Sequence, residues 1–371
     1  MKRRVTMRTM ELAMRLFVFL LGAGVIMINV FYSYLSHKIQ QREGPSLQEY
    51  YRSLNYTDEV FLKRIGIRPP GPKFSHPIKY PEGDTCVPGY ARSKVTEMNP
   101  KFNTNLPLFV KKGFREWKGM MDDGHDKLPF YLSDQDCKKI DQLLDLLPNS
   151  EPALLTGGGK CRRCIVVGSS GLVSGENLGS TIDKYDIVMR MNEAPVHGYE
   201  KDIGSKTTFR FLYPESATSK EVDPDADYII VPYKTDDLAW LLAVVQKEKP
   251  EGSFWKEIGE TLNVDSSHIH ILNPQIARST SYEHVGMINI PTIGTISIIT
   301  AFHFCDMVDI VGFGFRHDKL YHYYENKTIE GEFEGLFSYF TLIHDFAKEK
   351  EYIKDLVRNA VVNDLTHGYE D

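Results

Sequence analysis

The run Ile165-Val166-Val167, followed at once by Gly168-Ser169-Ser170-Gly171, constrains the fold more than any other stretch of this chain. Three β-branched apolar residues without polar alternation read as a strand buried on both faces of a parallel sheet. A glycine turn directly after such a strand places small residues and free main-chain N–H groups at the carboxyl edge of the sheet. Open α/β sheets hold nucleotides and phosphates at that edge. The spacing is G-x-x-G, which excludes the dinucleotide fingerprint, since that needs G-x-G-x-x-G. A phosphate-loop reading of 198–207 fails as well, because Ser205 separates Gly204 from Lys206 and no apolar strand leads in. Taken alone, the turn is equally consistent with a plain tight turn.

The alternation continues downstream. Tyr228 to Val231, His270 to Leu272 and Ile310 to Phe313 read as strands, and Asp237 to Gln246 and Ser253 to Leu262 as helices. The largely apolar Ile296 to Cys305 reads as a buried helix, and Leu108 to Trp117 and Ile140 to Leu147 as flanking helices. Strands alternating with helices imply a Rossmann-like α/β domain, with a mostly parallel sheet flanked by helices on both faces. A net charge of −6 argues against nucleic acid as a partner, because neutralising phosphates needs a basic face.

Residues 16–36, LFVFLLGAGVIMINVFYSYLS, carry no charge and are long enough to cross a bilayer core of about 30 Å. Lys2, Arg3, Arg4, Arg8 and Arg15 precede them, so the positive-inside rule puts 1–15 in the cytosol as a tail and everything after the span on the far side. The alternative, a cleaved signal peptide, needs a shorter apolar run and a small-residue cleavage site. One transmembrane signal anchor is therefore expected ahead of the α/β domain. From 37 to 85 the composition turns polar, and Pro69, Pro70, Pro72, Pro77 and Pro81 fall close together, as in a stem that spaces a domain off a membrane. The globular domain is expected over 86–371. Asn55-Tyr56-Thr57 and Asn326-Lys327-Thr328 are N-glycosylation sequons consistent with this orientation. Five cysteines in an oxidising compartment leave one over. Cys161 and Cys164 have no second C-x-x-C or close histidine pair, so a zinc site is not expected.

Cys161, Cys164, Gly168, Leu178, Gly179, Asp186, Arg190, Asn192, Ala194-Pro195, Gly198-Tyr199, Gly204, Lys206-Thr207-Thr208, Arg210 and Tyr213-Pro214-Glu215 together resemble the long motif of animal sialyltransferases. The CRRC opening and YPES close resemble the α-2,3 branch. The short motif of that family corresponds to Pro291-Thr292-Ile293-Gly294-Thr295 through His303-Phe304-Cys305 and Val311-Gly312-Phe313-Gly314. His322-Tyr323-Tyr324-Glu325 follows, and then the very short motif, His344 with Glu349. The four blocks stand in the family's order over about half the chain.

The resemblance implies a variant of the GT-A glycosyltransferase arrangement in the Golgi lumen, in a single-pass type II membrane protein. It implies CMP-N-acetylneuraminate as the donor, galactose-terminated glycoprotein or glycolipid glycans as acceptors, and inverting displacement without cofactor or metal. By the same resemblance Cys164 pairs with Cys305. Cys86 is the candidate partner of Cys161, with Cys137 left over, although sequence alone does not set this connectivity. Self-association into a homodimer is a further expectation. Family positions match His344 as the base and His322 as the stabiliser of the leaving group. Asn192, with Ser169, Ser170 and Gly171, matches the nucleotide contacts, and Thr292 and Gly294 match positions at the phosphate and sialic acid; with Thr295 they sit in the first turn of the expected buried helix, where free N–H groups and the helix dipole favour an anion. Most relatives carry asparagine where this chain has Ser169, and a hydroxyl offers less than an amide. The C-terminal half, with NIPTIG, HYYE and DLTHG, is most similar to members acting on Gal-β-1,3/4-GlcNAc of glycoproteins. Lactosylceramide is the alternative acceptor, and a sialyltransferase-like protein that binds without turnover is a third reading. The aspartates of Asp223-Pro224-Asp225-Ala226-Asp227 resemble a metal-holding loop but are read as a solvated one.

Overall fold

The computed structural model describes residues 80–81, 85–113, 134–156, 159–217, 223–252, 254, 257–287, 289–314, 319–327 and 344–369. The chain divides into two units, Met1–Arg64 and Ile65–Asp371, and every described residue belongs to the second. The tail 1–15, the apolar run 16–36, the sequon at Asn55 and most of the stem 37–85 lie outside the described residues. Among the described residues no helix is long and apolar enough to cross a membrane.

Seven strands form one sheet: β1 Arg163–Val167, β2 Ile187–Met191, β3 Phe209–Leu212, β4 Asp227–Ile230, β5 Ile269–Ile271, β6 Met307–Val311 and β7 Asn363–Asp364. Their order is β5-β4-β3-β2-β1-β6-β7, and every pairing is parallel. β1, β2, β3 and β6 are buried on both faces, which is why they read as unbroken apolar runs. From β1 the chain builds outward through β2 to β5 and then returns to add β6 on the other side of β1. The β1/β6 junction is thus the topological switch point, where a crevice opens at the carboxyl ends of such a sheet.

The named helices are α1 Tyr90–Met98, α2 Asp134–Leu144, α3 Thr235–Gln246, α4 Pro274–Ser279, α5 Ile293–Phe304 and α6 Phe346–Arg358. α5 is apolar nearly all round and packs into the main core with Val166, Met189, Phe209 and Val308. A helix without a polar face belongs inside. Its Ser297 and Thr300 hydroxyls donate back to the carbonyls of Ile293 and Ile296 (2.8 and 2.7 Å), so both are satisfied in the interior.

Two disulfides, Cys86–Cys161 and Cys164–Cys305, bracket the start of β1, and Cys137 is the cysteine outside them. Cys164–Cys305 joins β1 to the end of α5 and so ties the first expected block to the second.

Three expectations change. The helix expected from Leu108 is absent over Leu108–Gly113: Phe109 forms an antiparallel bridge to Leu272, and Val110 N–H donates to the Ile271 carbonyl (2.9 Å). The chain there is extended along the β5 edge. The described residues of the expected helix Ser253 to Leu262 are irregular, because Gly259 packs on the Ala217 main chain and its carbonyl accepts from Trp240 Nε1 (2.6 Å). The aspartate loop is not simply solvated. Asp223 is buried, ion-paired to Arg210 and bonded to the Thr207 hydroxyl (2.7 Å), while Asp227 bonds His268 (3.0 Å).

His284 and His303 flank Phe102, with ring centroids 5.5 and 4.6 Å from it. His284 Nε2 and His303 Nδ1 are buried without a hydrogen-bond partner among the described residues. Burial, with each facing a further cationic or imidazole group, lowers His284 to about 3 and His303 to about 4. A folded-state value below the unfolded 6.5 means that the unfolded chain binds more protons. The associated stability is fully present above about pH 6.5 and is lost as the pH falls. The expected slope is about 1.4 kcal/mol per pH unit per histidine below pH ~6. Denaturant titrations from pH 7 to pH 4.5 check this, and His303→Gln should flatten the acid limb.

Candidate functional site

The turn after β1 and the turn after β6 touch main chain to main chain at the switch point. Gly168 N–H donates to the Val311 carbonyl (2.7 Å), and Ser170 N–H to the Gly312 carbonyl (3.0 Å). A Cβ at Gly168 would overlap the Gly312 carbonyl oxygen, and Gly312 itself has φ +70° with the Gly168 carbonyl 2.8 Å from its own Cβ position. Glycine is required at both positions, sterically at the first and conformationally at the second. The segment that carries His322 docks on the same turn. A Cβ at Gly171 would overlap the Leu320 carbonyl, Ser170 bridges His322, and Tyr323 N–H donates to the Ser169 carbonyl (3.0 Å). Ser170 is buried, with its hydroxyl oxygen accepting from Leu172 N–H (3.3 Å). The hydroxyl of half-buried Ser169 has no partner among the described residues.

His322 Nδ1 lies 3.0 Å from Glu325 Oε2, and its ring stacks on Tyr324 at 5.1 Å. The carboxylate accepts, so Nδ1 carries hydrogen.

Asn192, just past β2, adopts φ +56°, a left-handed conformation that asparagine tolerates better than most residues. Its carbonyl accepts from Arg210 Nη1 (2.8 Å), and its side-chain Oδ1 is buried with no partner among the described residues. Arg210 also reaches the Ala194 carbonyl (3.1 Å) and thereby fixes the path of 192–194.

Thr292 caps α5: its hydroxyl oxygen accepts from Thr295 N–H (3.3 Å). The N–H groups of Ile293 and Gly294 have no acceptor among the described residues, as the first turn of a helix leaves them. Gly294 faces the two neighbouring strand ends, its Cβ position 3.1 Å from the Phe313 ring and 3.5 Å from Met191 Sδ. The start of α5 therefore opens on the β1/β6 turns and on Asn192.

Glu349 supplies what sequence reasoning did not assign. Its buried carboxylate accepts from Thr292 N–H (3.0 and 3.2 Å), from the Thr292 hydroxyl (2.5 Å) and from the Thr295 hydroxyl. Burial raises it to about 7, against the lowering effect of those hydrogen bonds, and Asp345 pushes in the same direction as burial. The threonine hydroxyls are thus spent on Glu349, and the α5 start offers a ligand its main-chain N–H groups. Thr295 is buried; Thr292 and Gly294 are half-buried.

His344 immediately precedes the cap of α6. Asp345 is the N-cap of α6, accepting from Lys348 N–H (3.0 Å), so Glu349 falls in the helix's first turn beside α5. His344 Nδ1 donates to the Ile290 carbonyl at 2.7 Å. A carbonyl only accepts, which sets the tautomer and leaves the Nε2 lone pair as the basic site. Burial lowers His344 below the usual histidine value, partly offset by the Ile290 bond. Tyr233, just beyond β4, donates to the Pro291 carbonyl (3.3 Å) and packs edge-on against Tyr213, which follows β3 (5.6 Å). Both tyrosines stand at the same carboxyl edge that flagged Gly168, and that rule applied to β3 and β4 was the signal that could have found them.

A cavity of about 780 Å³ opens elsewhere, at the amino edge of the sheet, lined among others by Arg92, Lys111, Arg162, His303 and Asp306. It contains none of the expected site residues. The carboxyl edge carries the switch point, N–H groups without an acceptor among the described residues and the two expected histidines, and it is the candidate site on that chemistry rather than on volume. Among the described residues the one cluster with three potential metal ligands is Cys86, Cys161 and Asp306, and its cysteines are bonded to each other.

The model of glycosyltransferase family 29 (sialyltransferase) matches residues 110–361. The human CMP-N-acetylneuraminate-β-1,4-galactoside α-2,3-sialyltransferase is 33% identical over 324 residues, covering 83% of this chain and 84% of the relative. The human lactosylceramide α-2,3-sialyltransferase is 29% identical over 348 residues, covering 86% and 80%. A crystal structure of a mammalian sialyltransferase in complex with Gal-β-1-3GalNAc-ortho-nitrophenol superposes with a TM-score of 0.60 at 25% identity, covering 76% of this chain and 98% of that one.

Proposed function

The chain belongs to glycosyltransferase family 29, the sialyltransferases, and from that premise we propose that it moves sialic acid from CMP-N-acetylneuraminate to the 3-hydroxyl of a terminal galactose. Its activity is sialyl transfer; donor, linkage and acceptor are the proposed part. The observation that carries the proposal is His344, whose Nδ1 is tied to the Ile290 carbonyl so that Nε2 remains to accept a proton.

In this reading the phosphate of the donor lies at the start of α5, against the N–H groups of Ile293 and Gly294, with the nucleotide along Ser169 to Gly171 and Asn192. His344 Nε2 takes the proton of the galactose hydroxyl as its oxygen bonds to the anomeric carbon. The bond from that carbon to the phosphate oxygen breaks, and CMP leaves with the electron pair. His322, its Nδ1 held 3.0 Å from Glu325 Oε2, would in its protonated form donate through Nε2 to the phosphate as charge gathers there. One displacement inverts the anomeric centre without a covalent intermediate.

Gal-β-1,3/4-GlcNAc of glycoproteins is the acceptor proposed from the C-terminal motifs, and the relative at 33% identity, named for a β-1,4-galactoside, supports a galactoside acceptor. Lactosylceramide is the second reading, supported by the relative at 29%. Offering both acceptors side by side with Gal-β-1,3-GalNAc decides between them, and sole transfer to lactosylceramide would replace the first.

The reaction needs no metal in this account. Asp223 and Asp227 are already committed to Arg210, Thr207 and His268. EDTA should leave the rate within about twofold of untreated enzyme, since no metal-bound charge is being removed; strong inhibition reversed by manganese would overturn this. The apolar run 16–36 and two disulfides support a Golgi type II protein with a lumenal catalytic domain, because such bridges persist in oxidising compartments.

A further inference from the structure

We propose that Glu349 is a positioning residue that takes up a proton when a phosphate diester binds at the start of α5. The inference rests on the nucleotide reading above and deepens it. The buried Glu349 carboxylate lies at the amino end of α5, receiving Thr292 N–H and the hydroxyls of Thr292 and Thr295. A donor phosphate would use the next two N–H groups, those of Ile293 and Gly294. Two anions then share one helix terminus away from bulk water, and like charges at close range favour the neutral form of whichever group can protonate. A phosphate diester cannot, so the proton from solvent goes to a Glu349 oxygen.

His322 and His344 are the other groups near the proposed phosphate that could gain a proton, and the test separates them from Glu349. Asp345, on its own helix, is a carboxylate that adds to the repulsion, while Tyr233 from beyond β4 and Tyr369 from the C-terminal segment are phenols that feel its charge. Burial already holds Glu349 near neutrality, at about 7, so a modest further push is enough to change its proton occupancy at working pH. The neutral acid keeps one acceptor oxygen for Thr292 N–H and so continues to hold the α5 start against α6, whose cap adjoins His344.

Calorimetry tests this with full-length chain in detergent, titrated at pH 7.5 with the methyl ester of CMP in buffers of different ionisation enthalpy. That ligand carries a phosphate diester with one fixed charge. The dependence of binding heat on buffer enthalpy gives protons taken up, and roughly half a proton per ligand is expected for a charge several Å away at an effective dielectric near 20. His322→Asn and His344→Asn should each keep the uptake and Glu349→Gln should abolish it. Thr295→Val, which removes a donor from the ionised carboxylate, should move the pH of greatest uptake upward. Binding with no uptake in the wild-type chain, or uptake that vanishes in either histidine variant and survives in Glu349→Gln, would overturn the proposal. Absence of any binding heat would instead strike the nucleotide reading and take the proposal with it.

Discussion

Replacing His344 with alanine lowers sialyl transfer by about 10²- to 10⁴-fold, the range for loss of a positioned general base, while CMP affinity stays within a few-fold. The Ile290 carbonyl holds the His344 ring. It fixes the Nδ1 proton, so the ring presents one lone pair, and alanine removes that lone pair without touching Glu349 or the α5 cap. The pH profile follows from burial. His344 titrates below the ordinary histidine value, so the neutral base persists under pH 6.5 and the acid limb of kcat falls only beneath it. In His344→Ala that limb should disappear. Steady-state transfer rates from pH 5 to 8 on both proteins check the size of the loss and the shape.

Gly168→Ala has the second large expected effect, acting on the frame of the site. Gly168 φ needs no glycine, but the added methyl would overlap the Gly312 carbonyl oxygen, and both turns are main chain anchored to buried strands. Neither can swing away like a side chain, so the β1 and β6 ends must separate. Overpacking of this kind costs about 1 to 3 kcal/mol, and more when backbone must move. The turn that would hold the nucleotide opens with it. Denaturant unfolding should show the stability loss, and CMP titration a drop in affinity larger than that of Ser169→Ala. The serine variant removes only one hydroxyl.

The strands that organise the site were legible from residue pattern because their burial on two faces erases polar alternation. Ile165 to Val167 and the buried α5 helix belong to this class. The parallel order was implied by alternation, but the switch point between β1 and β6 was not, since it depends on which side of β1 the returning chain chooses. The misread segments share a cause. Leu108 to Gly113 has helical composition yet follows the free edge of β5, and the segment around Gly259 is shaped by its contact with the Ala217 main chain; both are tertiary pairings that override local propensity.

The candidate site residues were legible only through the ordered motifs, and their division of labour was not. Thr292 and Thr295 were legible as positions at a helix start, but that their hydroxyls turn onto Glu349 was not. That carboxylate is 57 residues from Thr292 in sequence, and no spacing rule links two helix starts across such a gap. Asn192 shows the converse. Its left-handed backbone and unpartnered Oδ1 are features that only coordinates reveal, and they single it out more sharply than its place in a motif.

The most direct measurement is the NMR spectrum of the product formed from CMP-N-acetylneuraminate and N-acetyllactosamine by the wild-type chain, recorded as the reaction proceeds. The account predicts CMP and an α-linked sialic acid on the galactose 3-position, appearing together in equal amounts and nearly absent with His344→Ala. A β-linked product, or CMP released with no sugar transferred to any galactoside, would contradict it.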